Sequence, residues 1–473
     1  MYSSKKNIQQ LASLMLSHGV TDVVICPGSR NMPLAQTFGS HPNFNCHAVT
    51  DERSAGLHAM GLAIGLDKPV AVCVTSGSAL LNLTSAVSEA YYQQVPLLII
   101  SADRPAAWIG QMDGQTLPQI GVFGTLIRKE VNLSEPHDMT DEWHNNRLIN
   151  EAMLELNHHV KGPVHINIPL SEPFFECSAN DLPQERTINR KENYLEVWEK
   201  TNRILLVVGQ LTKSEATQIE GIIEKLNCAV VCENLSNLSA NNQFVDNIDY
   251  ILSQNMAITQ PELIVYLGGH IVSKRLKNWI RRIHPDCWRI DANGDCSDTF
   301  QCVSTIIEKK SFDFLTSLSP KKDAEYKKSL LEIKSHAKDK FRLNDLGYSS
   351  VAIVSNLLSN IPNNTTLVLA NSSVIRYAQL VSLEGKNVDV CCNRGVNGID
   401  GSLSTAVGIA KSHPEKLTLL IIGDLSFFYD MNGLWNTNLP PNLRIAMINN
   451  GGGGIFRTLP NLSKTRETDR FVM

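Results

Sequence analysis

Short apolar runs alternate along the chain with longer stretches whose apolar residues recur at helical spacing. Ile8, Leu11, Met15 and Leu16 share one face of a 3.6-residue period, so the first segment is expected to be an amphipathic helix. Runs at 22–26, 70–75, 97–101 and 164–168 follow and predict buried strands separated by small-residue helices. The polar, proline-bearing stretch 178–193 has neither period and reads as a linker. Strand-like runs resume at 203–209, 229–232, 263–269 and 288–291. A lysine-rich helical segment, 320–341, then leads to a last set at 366–370, 388–392, 417–424 and 444–449. Strands alternating with helices are the pattern of parallel sheets. The fold expected is therefore α/β, with three parallel-sheet domains at 1–180, 196–335 and 345–473.

Composition narrows the classes. At 473 residues, 43% hydrophobic and 19% charged, each domain has enough apolar material for its own core, which excludes extensive disorder. Lysine plus arginine number 43 against 47 acidic residues, a balance of −4 that provides no electrostatic footprint for nucleic acid or a membrane surface. A membrane span needs about 20 apolar residues, far more than any run here. The N-terminus lacks the apolar core of a secretory signal. Eleven scattered cysteines with no C-x-x-C pair read as small buried hydrophobes of a reduced, cytoplasmic protein without structural zinc.

The strongest chemical signal lies at two successive strand ends. GDLSFFYDMNGL (423–434) closes one apolar strand, and NNGGGGIF (449–456) closes the next. Glycine after a strand lets the backbone approach a diphosphate, and the adjacent aspartate can hold a magnesium ion that bridges two phosphate oxygens. Asp424 and Asn450 stand 26 residues apart, one helix and one strand, so an asparagine oxygen and a glycine carbonyl can complete an all-oxygen shell. Gly-Asp alone is most often an ordinary turn; its pairing with NN-plus-glycine one βαβ step later favours the metal reading.

This pair resembles the diphosphate- and metal-binding motif of thiamine diphosphate enzymes. That resemblance implies a glutamate against the aminopyrimidine ring, and AVTDERSAGLHAMGLA offers Glu52 at the mouth of a small-residue helix. An acid there is also favoured simply by the helix dipole. CPGSRNMPL (26–34), TSGSALLNLTSAVSEA (75–90), ADRP (102–105), GQTLPQIGVFG (114–124), SKRL (273–276), NSSVIR (371–376) and NRGVNGIDGSLSTAVG (393–408) run in order through the chain. Together they resemble the 2-succinyl-5-enolpyruvyl-6-hydroxy-3-cyclohexene-1-carboxylate synthase family, the enzymes that commit isochorismate to menaquinone.

The resemblance implies a homo-oligomer, a homodimer or a tetramer of dimers. It implies thiamine diphosphate with Mg²⁺ (or Mn²⁺) held by Asp424, Asn450 and Gly452, with Gly423 beside the diphosphate, Ile399 propping the cofactor and Glu52 activating it. Ser29, Arg30, Arg104, Gln115, Lys274 and Arg275 would face isochorismate, and Ser372, Arg376 and Arg394 would hold the succinyl portion of 2-oxoglutarate. Several arginines on strand-end loops agree with recognition of three carboxylates. Two departures from the family pattern stand out. Gly451 replaces a third asparagine of the metal loop, and the chain stops soon after that loop, so the third domain is expected to be incomplete and its last segment, 450–473, loosely held. Another thiamine diphosphate-dependent 2-oxo acid decarboxylase or synthase would keep Glu52 and Asp424 without needing the arginine set, and a catalytically silent form is the remaining alternative.

Overall fold

The computed structural model describes residues 1–191, 193–239, 241–340, 346–435, 438–458 and 466–471. Residue 341 of the expected lysine-rich helix, residue 345 of the expected third domain, and positions 459–465 and 472–473 of the chain's last segment lie outside the described residues. The strands form three parallel sheets, as the apolar runs require. They are distributed over two compact units, 1–190 and 191–473.

In the first unit, β1 (Asp22–Ile25), β2 (Asn45–Ala48), β3 (Val70–Val74), β4 (Leu97–Asp103), β5 (Lys129–Asn132) and β6 (Val164–Pro169) lie in the order β2-β1-β3-β4-β6-β5. The central strands are buried along their whole length, which explains their uninterrupted apolar runs. The two strands that the hydrophobic pattern does not show, β2 and β5, are the sheet's edges, with sequences NCHA and KEVN. An edge strand has half its surface in solvent and needs no apolar run. The expected first helix is Lys6–Ser17, with Ile8, Leu11 and Met15 buried. The helix Glu52–Leu66 buries Ala55, Gly56, Ala59 and Ala63. Small residues are required there, because a Cβ on Gly56 would lie 2.7 Å from that of Ala86. The unit ends in the two-residue strand β7 (Asn189–Arg190).

The second unit holds two sheets. Strands β8 (Ile204–Val208), β9 (Ala229–Cys232), β10 (Leu263–Leu267), β11 (Asp286–Ile290) and β12 (Val303–Ile307) follow the order β12-β11-β10-β8-β9. Strand β12 (VSTII) is mostly buried, but Ser304 and Thr305 interrupt the apolar run that marks most of the other buried strands, so the hydrophobic pattern does not show it. The other sheet is β14-β13-β15-β16, built from β13 (Thr365–Leu369), β14 (Val388–Cys391), β15 (Leu417–Gly423) and β16 (Leu443–Ile448). The Asn237 side chain joins the two, accepting the Val390 N–H at 2.7 Å and donating to the Val390 carbonyl at 2.9 Å. The lysine-rich helix runs Glu325–Lys340, and it is not wholly solvated. Lys334 is buried, paired with Asp246 at 3.0 Å and donating to two backbone carbonyls.

Among the described residues no helix is long and apolar enough to cross a membrane. All eleven cysteines are free, and most are buried. Burial pushes the Cys26 and Cys73 thiols up to about 12, so both stay protonated and behave as small apolar residues.

Candidate functional site

In a parallel sheet, ligands gather beyond the carboxyl ends of the strands, where the strand order reverses. In the first unit that point lies between β1 and β3, and the motifs of the sequence collect around it. Glu52 follows β2 and opens the helix Glu52–Leu66. The capping task falls to its neighbour Asp51, whose carboxylate accepts the Ser54 N–H at 2.8 Å. Glu52 is therefore not needed as a cap, and its half-buried carboxylate accepts a hydrogen bond from the Asn82 amide at 3.2 Å.

The end of β3 carries Thr75, Ser76 and Gly77. Gly77 has φ +86°, and a Cβ there would press within 3.2 Å of the Gln115 backbone, so glycine is required. Its N–H donates to Gln119 Oε1 at 2.8 Å; Gln119, buried, is a positioning residue that sequence reasoning missed. The hydroxyls of Thr75 and Ser76 are buried with no partner among the described residues. Gly28 brings the CPGSR loop against this strand end, since a Cβ on it would sit 2.4 Å from that of Thr75.

Arg30 is buried; it donates to the Leu170 carbonyl at 2.7 Å and to Glu172 at 3.3 Å, with Phe174 beneath its guanidinium at 4.5 Å. Burial first, and then the neighbouring Arg104 cation, holds its pKa below the usual guanidinium value. Arg104 pairs with Asp113 at 3.1 Å and lies 3.9 Å from Glu172, while its Nε is buried without a partner. Ser29 and Gln115 are exposed, Gln115 at φ +57°. Four of the expected residues, Ser29, Arg30, Arg104 and Gln115, thus share the carboxyl edge of this sheet with Glu52.

The second unit repeats the arrangement between β13 and β15. Asp424 is buried; its Oδ1 accepts the Leu425 N–H at 2.8 Å, and its Oδ2 accepts those of Asn450 at 3.2 Å and Gly452 at 2.9 Å. One carboxylate thereby ties the end of β15 to the loop after β16. The glycine run is a built turn: Gly451 and Gly452 have φ +78° and +142°, and a Cβ on Gly454 would lie 2.6 Å from Asn450 Nδ2. Ser372, Ile399, Gly423, Asp424, Asn450 and Gly452 line one cleft, together with Tyr377 and Phe456.

Ser372 adopts φ +72° at the start of the helix Ser373–Ala378, a strained conformation for a residue with a side chain and of the kind that clusters at binding sites. Asn371, which sequence reasoning missed, donates to the carbonyls of Asn393 and Gly398 at 2.8 and 2.7 Å and accepts from Arg394 at 3.3 Å. It fixes the loop that carries Arg394 and Ile399, and Ser426 holds the Ile399 carbonyl. Arg394 is buried with its Nε unpartnered; Arg376 is exposed and folds back to the Ser372 carbonyl. Lys274 and Arg275 are exposed on the helix Lys274–Ile283, Arg275 paired with Asp249 at 2.6 Å. Neither of them lines the cleft.

Thiamine diphosphate and a divalent cation fit these residues. Asp424, Asn450 and the Gly452 carbonyl are hard oxygen donors of the kind Mg²⁺ takes, and a carboxylate oxygen that accepts an N–H keeps a lone pair for a metal. The orphaned Thr75 and Ser76 hydroxyls, near the sheet edge that carries Glu52, are polar atoms left for a ligand.

The class of protein follows from these observations and from its relatives. Residues 6–122 match the thiamine pyrophosphate enzyme N-terminal TPP binding domain family, and residues 174–369 match the middle domain family of thiamine pyrophosphate enzymes. The chain is 47% identical to the 2-succinyl-5-enolpyruvyl-6-hydroxy-3-cyclohexene-1-carboxylate synthase of Bacteroides thetaiotaomicron, over all of this chain and 87% of that protein. It is 48% identical to that of Bacteroides fragilis (100% of this chain, 88% of that one) and 37% identical to that of Flavobacterium johnsoniae (96% and 84%). The chain belongs to the 2-succinyl-5-enolpyruvyl-6-hydroxy-3-cyclohexene-1-carboxylate synthase family of thiamine diphosphate enzymes.

Proposed function

We propose that the protein decarboxylates 2-oxoglutarate with thiamine diphosphate and Mg²⁺ and joins the remaining four-carbon unit to isochorismate by 1,4-addition, a step of menaquinone biosynthesis. The observation that carries this reading is the Asp424 clamp on Asn450 and Gly452, set in a cleft whose other wall is Ser372 and Ile399. Mn²⁺ suits the same donors.

When bound, the cofactor supplies a sink for the charge left at the carbonyl carbon as CO₂ departs. The remaining tasks belong to the chain. Asp424, Asn450 and Gly452 hold the metal. Ile399 props the ring. Glu52 holds a proton at the aminopyrimidine and so fixes its tautomer. Arg376 and Arg394, with Ser372, hold the carboxylate that 2-oxoglutarate keeps, through charge-assisted contacts. Ser29, Arg30, Arg104 and Gln115 orient isochorismate, with Lys274 and Arg275 as further cations. The work is done by a homo-oligomer, at the least a dimer, in the cytoplasm.

The test is whether CO₂ release from 2-oxoglutarate requires thiamine diphosphate, magnesium and isochorismate together. Release without isochorismate at the same rate points instead to a simple 2-oxo acid decarboxylase, and no release under any of these conditions refutes the assignment.

A further inference from the structure

On β4, β6 and the edge strand β5, successive side chains alternate between the two faces of the sheet. Ile100, Ala102, Val131, Ile166 and Ile168 all belong to one apolar core. Ser101, Asp103, Glu130, Asn132, His165 and Asn167 share the opposite face, with Ser101 in register beside Asn167 and Glu130 beside His165. Ser101, His165 and Asn167 are fully buried, at the carboxyl end of the sheet that carries the first unit's site.

A backbone donor fixes the direction of the hydrogen bonds in this group. The Gly77 N–H can only donate, so the Gln119 atom it reaches at 2.8 Å is the side-chain oxygen. The Gln119 amide nitrogen then donates to the Ala102 carbonyl at 3.2 Å and to Asn167 Oδ1 at 2.7 Å. Asn167 Nδ2, at the other end of that amide, donates to Asp103 and to Asn132, each at 2.9 Å. Asn167 Oδ1 can only accept, so the Ser101 hydroxyl, also 2.7 Å away, spends its single proton there. The 2.7 Å contact between Ser101 Oγ and His165 Nε2 must therefore take its proton from the ring. The other ring nitrogen, Nδ1, stands 2.8 Å from Glu130 Oε1, while Glu130 Oε2 accepts the Gly121 N–H at 2.7 Å.

With Glu130 ionised, both ring nitrogens donate and His165 is an imidazolium. Burial raises the Glu130 pKa, but the hydrogen bonds from His165 and Gly121 outweigh it and hold the carboxyl below its usual range. Asp103, the other acid on this face, is taken up by Asn167 and by the Arg104 N–H at 2.8 Å. Phe123 packs on the ring, nearly perpendicular to it at 5.4 Å. An ion pair out of water is seldom worth more to stability than apolar packing of the same volume, so stability alone does not account for this one. The hydrogen-bonded chain ends instead at the Gly77 N–H, beside the orphaned Thr75 and Ser76 hydroxyls, and at the Arg104 N–H.

We propose that His165 is a positioning residue: held as an imidazolium by Glu130, it keeps the Ser101–Asn167–Gln119 chain pointing one way and so orients the Gly77 turn and Arg104 toward isochorismate. The link to isochorismate rests on the functional reading above; the two ring protons do not. Nitrogen-15 NMR of the full chain with labelled histidine, at neutral pH and without cofactor, should show one ring with both nitrogens protonated. In Glu130→Gln the new amide turns its oxygen to the Gly121 N–H and its nitrogen to His165, so that ring should lose the Nδ1 proton and keep the one on Nε2. The absence of a doubly protonated ring in the wild type, or of its change in Glu130→Gln, overturns the proposal. The second arm is steady-state kinetics on the full chain loaded with thiamine diphosphate and magnesium. Ser101→Ala cuts the chain between His165 and Asn167 and should raise the KM for isochorismate about tenfold or more, the usual effect of leaving buried groups without a partner, and leave that for 2-oxoglutarate within about twofold. Glu130→Gln preserves the direction of the chain and should keep both KM values within about threefold of the wild type. An unchanged KM for isochorismate in Ser101→Ala, or an equal rise for both substrates, overturns the positioning role while the functional reading stands. A wild-type chain that releases no CO₂ from 2-oxoglutarate overturns that reading and the link to isochorismate together, and the NMR result still decides the state of the ring.

Discussion

At the scale of single residues, the proposed reaction divides its tasks between the two sheet edges. Glu52 is free to act because Asp51 has taken the helix cap. Glu52→Gln keeps the shape and the Asn82 contact but removes the charge, so turnover should fall by about 10²-fold or more, the usual worth of acid–base assistance, with cofactor still bound in calorimetry. The arginines should separate by substrate. Arg394→Ala and Arg376→Ala should raise the KM for 2-oxoglutarate, and Arg30→Ala or Arg104→Ala chiefly that for isochorismate, each by about 1.5–3 kcal/mol of lost contact. Four variants that all weaken the same substrate would show the partition to be wrong. Arg30→Ala should also lower stability, because its guanidinium holds the Leu170 carbonyl and Glu172 and stacks on Phe174.

At the scale of elements, strand ends and the turns after them are the working parts. The carboxylate of Asp424 secures the loop after β16 by accepting the N–H groups of Asn450 and Gly452. In Asp424→Ala the amides of Asn450 and Gly452 should exchange with solvent about ten- to a hundredfold faster than in the wild type, measured without cofactor by hydrogen exchange. Equal exchange in the two proteins would mean that the clamp contributes nothing.

Glu233 sets a pH dependence at the start of the helix Lys274–Ile283, where it accepts the N–H groups of Val272 at 2.6 Å and Ser273 at 2.7 Å. Burial raises its carboxyl to about 7, against the two backbone N–H groups that favour the charged form. Its folded-state pKa lies above the unfolded one, so the folded chain holds a proton that the unfolded chain has already lost. Stability from this group is therefore complete below about pH 4.5 and declines as pH rises toward 7. Glu233→Gln imitates the protonated form; its melting temperature should fall by a few degrees less than that of the wild type between pH 5 and 7.5. Parallel melting curves across that range would refute the shift.

At the scale of the whole molecule, both units leave apolar side chains in solvent. On the helix Glu52–Leu66, Leu57, Gly61 and Ile64 form an exposed stripe at i, i+4 and i+7, and the second unit exposes Phe428, Tyr429 and Trp435. Faces of this kind mark association. The proposed homo-oligomer should sediment as a dimer or larger at micromolar concentration. Ile64→Asp, which places a charge in the stripe, should shift it toward monomer and weaken cofactor binding together. A monomeric wild type would remove the proposal.

Much of this was legible in the sequence, because parallel strands covered on both faces must be apolar throughout, and runs such as 97–101 and 204–208 admit few other readings. The pairing of Asp424 with the glycine run after β16 was legible for a related reason: an aspartate, an asparagine and glycines at two successive strand ends stand out by residue type and spacing. Edge strands β2 and β5 were not legible, since half-exposed strands carry no such signature. Nor were Gln119 and Asn371, whose importance lies in which backbone groups they reach 42 and 27 residues away. Sequence determines which chemistry each strand end can offer, because that depends on residue type and period; tertiary structure decides which offers meet, because that depends on contacts between residues far apart in the chain.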